Sequence, residues 1–293
     1  MEDEARTVTP SPGLPGGDDE DAHRTDASPP VTVVLATRDR PHLLEGALIA
    51  LADVLRPQDH LLVVDSASES PATLGLCKRL GVAVIRAVEP GTSLARNTGL
   101  AAATTDLVAF TDDDCLPSPG WTAALAKAFD EPGVGVVTGR VIADREVAAP
   151  VSLEESDVAR PFSEPVGHGA NCCFRRAALL AVGGFDERLG PGTPGRASED
   201  VDAIRRVLSA GWQGRYVPSA VVVHRQWRTR GAAVARSFSY GRGQVAAGGS
   251  WRTAVWRDAL RPAGRDVRAG YVTGAAAGLM RAAGAATGLV RRR

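Results

Sequence analysis

The chain has few of the features that would assign it directly to a class. Its four cysteines fit no zinc-binding spacing and no signal peptide precedes them, so we expect reduced thiols and a cytoplasmic protein. Lysine is scarce, with Lys78 and Lys127 alone, so almost all positive charge is arginine, which we attribute to codon usage. Positive charge is also missing around "TDDD", because no lysine or arginine lies within ten residues of Asp112–Asp114.

A formal net charge of zero conceals a strongly uneven distribution of charge along the chain. Residues 1–30 carry eight acidic residues and two arginines, and are rich in proline and glycine. They cannot bury enough apolar surface to offset the entropy of ordering, so we predict disorder. Residues 225–293 carry fourteen arginines and two aspartates. The predicted organisation is therefore an acidic segment over 1–30, a central domain over 31–225 and an arginine-rich helical extension over 226–293.

Short apolar runs alternate with amphipathic segments through the first half of the proposed domain. Pro41 opens a helical pattern over 41–55, and a loop and helix are predicted over 91–105. The β-branched composition predicts strands at 31–40, 60–68, 82–88 and "DLVAFTDDD". Strand and helix repeated at this spacing indicate an α/β fold with a mostly parallel sheet flanked by helices.

Polar side chains stand where several of these strands end. Thr37, Asp65 and the Asp112–Asp114 run all fall at predicted carboxyl ends, where parallel sheets bind ligands. A single strand-end aspartate is more often a turn or helix cap. Three consecutive carboxylates repel each other, and a bound cation would offset that repulsion. Mg²⁺ and Mn²⁺ prefer oxygen ligands and are often shared between one or two carboxylates and a substrate phosphate, so the run predicts a cation and a diphosphate.

The order of motifs resembles the inverting family 2 glycosyltransferases, which have the GT-A nucleotide-diphospho-sugar transferase fold. The resemblance covers roughly residues 31–225 and rests on seven blocks in the family's order. A single D-x-D tripeptide is common by chance, whereas the ordered set is specific. The blocks are "VTVVLATRDR", "LLVVDSAS", "GTSLARNTGL", "LVAFTDDDCLP", "GHGANCCFRRAALLAVGGFDERLG", "SEDVDAIRRVLSAGW" and "YVPSAVVVHR".

The resemblance implies a role for each matching residue. Donor-binding residues would be Thr37, Asp65, Arg96, Asp112 and Asp113, with Asp112 and Asp114 forming the D-x-D motif. Mn²⁺ or Mg²⁺ would be held by Asp114, Asp112 and His224, and Asp200 would be the catalytic base. Candidate acceptor contacts are His168, Asn171 and Glu199.

The residues themselves leave other interpretations open at several of these positions. Glu199 and Asp200 follow Ser198, a predicted helix N-cap, and acids in a first turn can simply complement the helix dipole. A strand-end histidine such as His224 is more often structural than a ligand. Arg96 could be an exposed helix charge. For inversion, however, one carboxylate must deprotonate the acceptor hydroxyl while the diphosphate departs from the other face, and Asp200 suits that role.

The implied function is single-addition, metal-dependent transfer of a sugar from a nucleotide-diphosphate donor to an acceptor hydroxyl. No Q-x-x-R-W block and no long apolar span is present, which argues against a processive polymer synthase. Asp65-Ser66 departs from the family's usual acidic pair, so the nucleoside is left open. The alternatives are a sugar-nucleotide pyrophosphorylase, whose glycine-rich phosphate loop is not found in "VLATRDRPHLL", and a catalytically inactive GT-A binding module.

The arginine-rich extension has three alternative readings. Residues 269–293 are long enough to span a bilayer, but Arg281 interrupts them and Ala and Gly supply little transfer energy. An interfacial helix on an anionic inner leaflet would suit a lipid-linked or membrane-proximal acceptor and peripheral membrane association. A solvated helical cap is the equal alternative. Nucleic acid is not expected as a partner, because no recognised binding motif accompanies the arginines.

Overall fold

The computed structural model describes residues 27–144, 159–163 and 167–225, together with residues 238, 239 and 283. Helices and strands alternate through the first part and strands dominate the second. The helices are α1 (Pro41–Val54), α2 (Ala72–Leu80), α3 (Thr92–Ala102), α4 (Trp121–Lys127), α5 (Arg176–Ala181) and α6 (Glu199–Ser209). The strands are β1 (Val31–Thr37), β2 (His60–Asp65), β3 (Ala83–Arg86), β4 (Leu107–Asp112), β5 (Cys115–Pro117), β6 (Val134–Ala143), β7 (Arg160–Phe162), β8 (Cys172–Arg175) and β9 (Gln213–His224).

All described strands belong to one mixed sheet, in the order β3-β2-β1-β4-β8-β6-β9-β5, with β7 also paired to β9. The ladders from β3 to β4 are parallel, as the sequence predicts. Strand β8 then enters antiparallel between β4 and β6, and β9 returns parallel to β6. Thr37 pairs with Asp65 and Ala36 with Asp112, so the carboxyl ends of β1, β2 and β4 meet at one edge.

The sheet is covered on both faces, and this explains the uninterrupted apolar strands. Alternate residues of β1 enter opposite cores, with Val33 and Leu35 on one side and Val34 and Ala36 on the other. Helices α1, α2 and α4 cover the first face, where Trp121 is fully buried. Helices α3, α5 and α6 cover the second face around a cluster of three phenylalanines. Its members are Phe110, Phe174 and Phe185, with ring centroids 5.0–6.1 Å apart.

Helix α3 packs so closely on the sheet that one position admits only glycine. A Cβ built on Gly99 would lie 2.3 Å from Val34 Cγ1 and 3.2 Å from Val64 Cγ2. Overpacking of this kind costs about 1–3 kcal/mol. We expect Gly99→Ala to lower the free energy of unfolding by about that amount in urea denaturation.

Gly75 is the matched control for this prediction. It lies inside α2 with no atom within 4 Å of an added Cβ, so alanine gains helix propensity without a clash. Gly75→Ala should leave stability unchanged or raise it by up to about 1 kcal/mol. Equal effects of the two substitutions would contradict the close packing of α3.

Within the described part of the chain, no helix is long and apolar enough to cross a membrane. Disorder was predicted over residues 1–30, of which 27–30 are described, and there the carbonyls of Ser28 and Pro29 accept hydrogen bonds from the Arg56 side chain. Residues 1–26, the extension over 226–293 and the interfacial helix at 269–293 lie outside the described residues, apart from the isolated positions 238, 239 and 283. The division into three segments stays a prediction.

Candidate functional site

A cleft of about 390 Å³ opens at the edge where the carboxyl ends of β1, β2 and β4 meet. Its walls come from the loop after β1, the turn after β4, the start of α3, the loop before β8, the loop before α6 and the end of β9. Most predicted site residues reach it. Those that line the cleft are Thr37, Arg96, Asp112, Asp114, His168, Glu199, Asp200 and His224.

The turn after β4 and the end of β9 form the cation-binding candidate. Cys115 pairs with His224 across β5 and β9, which brings His224 Nε2 to 3.6 Å from Asp114 Oδ1. Two ligands at about 2.1 Å from one small cation can be this far apart. Cys115 Sγ lies in the same cluster, but burial raises the pKa of its thiol well above the ordinary value. An oxygen-and-imidazole set without the thiol suits a hard divalent ion.

Asp113 does not line the cleft, and the prediction that it binds the donor is corrected. It is fully buried, accepts a hydrogen bond of 2.6 Å from Thr37 Oγ1 and lies 2.9 Å from Arg40. Burial, reinforced by Asp114 and Asp112 and opposed by Arg40 and Thr37, raises the pKa of Asp113 to about 7. Its side chain therefore supports the loop after β1 from below the cleft.

Asp112 lies in the cleft but is paired with a buried arginine. Arg96 Nη2 donates to Asp112 Oδ1 at 2.9 Å. Burial raises the pKa of Asp112, yet Arg96, the two histidines and Arg40 together outweigh it and hold the pKa below the ordinary value. Asp112 is thus charged at neutral pH and oriented by Arg96.

The base candidate lies in the first turn of α6. Asp200 Oδ2 accepts a 2.7 Å hydrogen bond from the amide of Gly169, and Oδ1 accepts one of 2.8 Å from Val201. Ser198 occupies the predicted N-cap position, but its backbone is left-handed (φ 70°) and its side chain makes no capping hydrogen bond. The strained N-cap and two main-chain donors orient the Asp200 carboxylate toward the cleft.

His168 lies between the two ends of the cleft. Its ring packs edge-on against His224 with centroids 6.0 Å apart, and Nδ1 accepts a hydrogen bond from the amide of Ala170. Burial lowers the pKa of His168, with the neighbouring His224 acting in the same direction. A neutral imidazole at this point has Nε2 left to contact a substrate hydroxyl.

Two other predicted site residues are not among those that line the cleft. Asn171 is fully buried: its Oδ1 accepts from Trp121 Nε1, and its Nδ2 donates to the carbonyls of Arg140 and Ala220. The expectation of an acceptor contact is therefore corrected, since this amide ties strands β6 and β9 to α4.

Asp65 is fully buried and stands behind the cleft wall. Its carboxylate accepts from the amide of Ser68 and from Arg86 Nη1, while the next residue, Ser66, lines the cleft. Asp65 is not among the residues that line the cleft, and its direct contact with the nucleotide stays a prediction.

Sequence reasoning missed the arginines after β1. Arg38 and Arg40 line the cleft, and Arg40 brings positive charge to the acidic turn, 3.6 Å from Asp114. Their loop is fixed by Asp39, which has φ 54°, donates its amide to Ser68 Oγ and accepts from the amide of Glu69. Only the charged pattern "TRDR" at a strand end could have revealed them.

Gly169 was missed as well, because a lone glycine carries no chemical signal. A Cβ at this position would lie 2.8 Å from both Cβ and Oδ2 of Asp200. We expect Gly169→Ala to displace the carboxylate and lower turnover of a bound donor about 100-fold, the usual effect of a 1 Å misplacement. Steady-state rates of Gly169→Ala, with Gly75→Ala as the control, check this prediction. Wild-type turnover in Gly169→Ala would contradict it.

The sequence matches a known family across about half of the chain. Residues 32–182 match the sequence model of glycosyl transferase family 2. A pre-mycofactocin glycosyltransferase from Mycobacterium tuberculosis is 36% identical over 163 residues, which is 52% of this chain and 33% of that protein. The chain thus spans about a third of that relative's length. An N-acetylglucosaminyl-diphospho-decaprenol L-rhamnosyltransferase from the same organism is 42% identical over 73 residues, 24% of this chain and 22% of that protein.

Solved structures share the architecture. A mannosyltransferase from Pyrobaculum calidifontis, in complex with GDP-Man and Mn²⁺, has a TM-score of 0.66 at 21% identity and covers 91% of this chain and 88% of its own. GalNAc-T7 with UDP, GalNAc and Mn²⁺ has a TM-score of 0.58 at 14% identity, and the match covers 77% of this chain and 52% of that one. At these identities the likeness concerns the fold alone, and it confirms the predicted GT-A architecture.

Proposed function

The chain belongs to glycosyl transferase family 2, and from that premise we propose that it moves a sugar from a nucleotide-diphosphate donor to an acceptor hydroxyl. The proposed reaction inverts the anomeric carbon, adds one sugar per encounter and depends on a divalent cation. One observation supports this above all others. A single cleft brings Asp114 and His224, suited to a cation, together with the oriented carboxylate of Asp200.

Asp200 has the role of general base in this proposal. Each of its oxygens accepts one main-chain hydrogen bond, so the carboxylate is oriented and each oxygen keeps a lone pair for a proton. It takes the proton of the acceptor hydroxyl as that oxygen bonds to the anomeric carbon. The nucleoside diphosphate leaves from the opposite face, which inverts the configuration.

The acidic turn and the loop after β1 have the role of binding the diphosphate. Asp114, Asp112 and His224 would hold Mn²⁺ or Mg²⁺, which when bound neutralises the diphosphate and stabilises its departure. Arg38 and Arg40 add positive charge beside it. Thr37 and Ser66 line the end of the cleft proposed for the nucleoside.

The acceptor and location are proposed from relatives and from composition. One relative is a decaprenol-linked rhamnosyltransferase, and another, from Haloferax volcanii, is a glucosyl-dolichyl phosphate glucuronosyltransferase, 30% identical over 112 residues. A lipid-linked acceptor would suit the arginine-rich C-terminal sequence and a cytoplasmic protein bound peripherally to the inner membrane face.

A thermal-shift panel of nucleoside diphosphates and sugar nucleotides, with and without Mn²⁺, tests donor binding. The sugar nucleotide that stabilises the protein most is then incubated with Mn²⁺ and the released species are identified. Nucleoside diphosphate is the expected product. A parallel incubation also contains pyrophosphate, and conversion of the sugar nucleotide and pyrophosphate to sugar 1-phosphate and nucleoside triphosphate would favour a pyrophosphorylase. Stabilisation without turnover in either incubation would favour an inactive binding module.

A further inference from the structure

Arg96 does not have the environment expected of a residue that mainly binds a nucleotide. It is 3% exposed, and its guanidinium lies 5.6 Å from the centre of the Phe185 ring, itself part of the phenylalanine cluster. Its Nη1 donates to Glu199 Oε1 at 3.0 Å and its Nη2 to Asp112 Oδ1 at 2.9 Å. Two carboxylates from separate elements, the end of β4 and the start of α6, are thus bridged by one buried guanidinium.

The same guanidinium contacts the residue whose amide orients the base. Arg96 Nη2 lies 3.4 Å from the carbonyl oxygen of Gly169, whose amide donates to Asp200 Oδ2 at 2.7 Å. Arg96 therefore contacts both neighbours of the base: Glu199, which precedes Asp200 in the chain, and Gly169, which holds its carboxylate.

The charges explain why an arginine is required in this bridge. Asp112, Glu199 and Asp200 are three acids around one cleft, and burial together with the adjacent Asp200 raises the pKa of Glu199 to about 7, against the opposing effect of Arg96. The pKa of Arg96 is itself raised, because Asp112 and Glu199 outweigh its burial. The guanidinium uses two separate nitrogens held in one rigid plane, Nη1 for Glu199 and Nη2 for Asp112, whereas lysine has all its donors on one nitrogen and cannot reproduce this fork.

We propose that Arg96 is a positioning residue, which with Glu199 fixes the base-bearing start of α6 relative to the donor-side carboxylate Asp112. This inference rests on the proposed function, since Asp200 is the base in it. It replaces the expectation that Glu199 contacts the acceptor. In this proposal Arg96 does not serve the donor alone. It aligns the half of the cleft that contains Asp112 with the half that contains Asp200.

The test compares Arg96→Lys, Glu199→Ala and the double variant with wild type in donor hydrolysis, where water takes the place of the acceptor; alanine removes the oxygen that accepts from Arg96 Nη1. Each single variant should lower kcat roughly 10- to 100-fold, the scale of a small misplacement, with KM for the donor within about threefold. The double variant should be no slower than the slower single variant, because the two residues act as one unit. Arg79→Gln, which breaks the exposed pair with Glu45, is the charge control and should match wild type.

Hydrogen exchange at the Gly169 amide supplies a readout that needs no activity. Arg96→Lys and Glu199→Ala should both lose protection at this amide while the β1 and β4 amides stay protected. Three results would overturn the proposal. They are a kcat loss in the double variant equal to the product of the two single losses, a rise in the donor KM without a loss of kcat, and unchanged exchange protection of the Gly169 amide. If wild type releases no nucleoside diphosphate, the proposed function fails, and the exchange result still decides whether Arg96 holds this loop.

Discussion

Asp200→Asn is expected to bind the donor as wild type does and to turn it over about 10²–10⁴-fold more slowly, the range for loss of a general base. Asparagine keeps the size of the side chain and can still accept the Gly169 amide hydrogen bond at its oxygen. It cannot take a proton from the acceptor hydroxyl. The effect should therefore fall on kcat, with the donor KM little changed.

Initial rates of nucleoside diphosphate release, together with calorimetric titration of the donor, measure both parts of this result. Asp130→Asn is a suitable control, because that aspartate is exposed and pairs with Arg215, near the opposite end of β9 from His224. It should behave as wild type does. If Asp200→Asn keeps wild-type turnover, the base is another residue.

Asp114→Ala is expected to abolish the Mn²⁺-dependent part of donor binding. The carboxylate lies 3.6 Å from His224 Nε2 and is the most direct candidate ligand in the acidic turn. Loss of a residue that merely supports a metal ligand costs 10–100-fold in metal affinity, so loss of this ligand should cost about 100-fold or more. Calorimetry of the nucleoside diphosphate with and without Mn²⁺ measures the difference.

Cys115→Ala is the neighbouring control. Cys115 Sγ lies in the same cluster, but its thiol is held protonated by burial and hard cations prefer oxygen. This variant should keep Mn²⁺-dependent binding. Equal losses in Asp114→Ala and Cys115→Ala would point to a site that uses the sulfur, and no loss in either would remove the cation from this turn.

The parallel half of the sheet could be predicted because each strand is a short β-branched run buried on both faces. Strands β1 to β4 and helices α1 and α3 therefore lie where the apolar pattern places them. The other half depends on pairings that no local pattern reveals. The four-residue strand β8 lies between β4 and β6, which are remote from it in sequence, and β9 pairs with three strands along its length.

The same distinction applies to the site. Asp114, His168, Asp200 and His224 were expected in one cleft from strand-end position and family order, and the structure brings them together. Asp113, Asp65 and Asn171 were expected to contact donor or acceptor, but they are buried and do not line the cleft, because residue type does not reveal which way a side chain turns. Their polar groups are used instead by Thr37, Arg86 and Trp121.

The configuration of the released sugar tests the central claim most directly. With an α-linked sugar nucleotide and Mn²⁺ but no acceptor, proton NMR during the first turnovers identifies the anomer formed by hydrolysis. Attack by a water activated at Asp200, from the face opposite the diphosphate, predicts that the β-anomer appears first and equilibrates later. First appearance of the α-anomer would contradict the proposed geometry of the cleft.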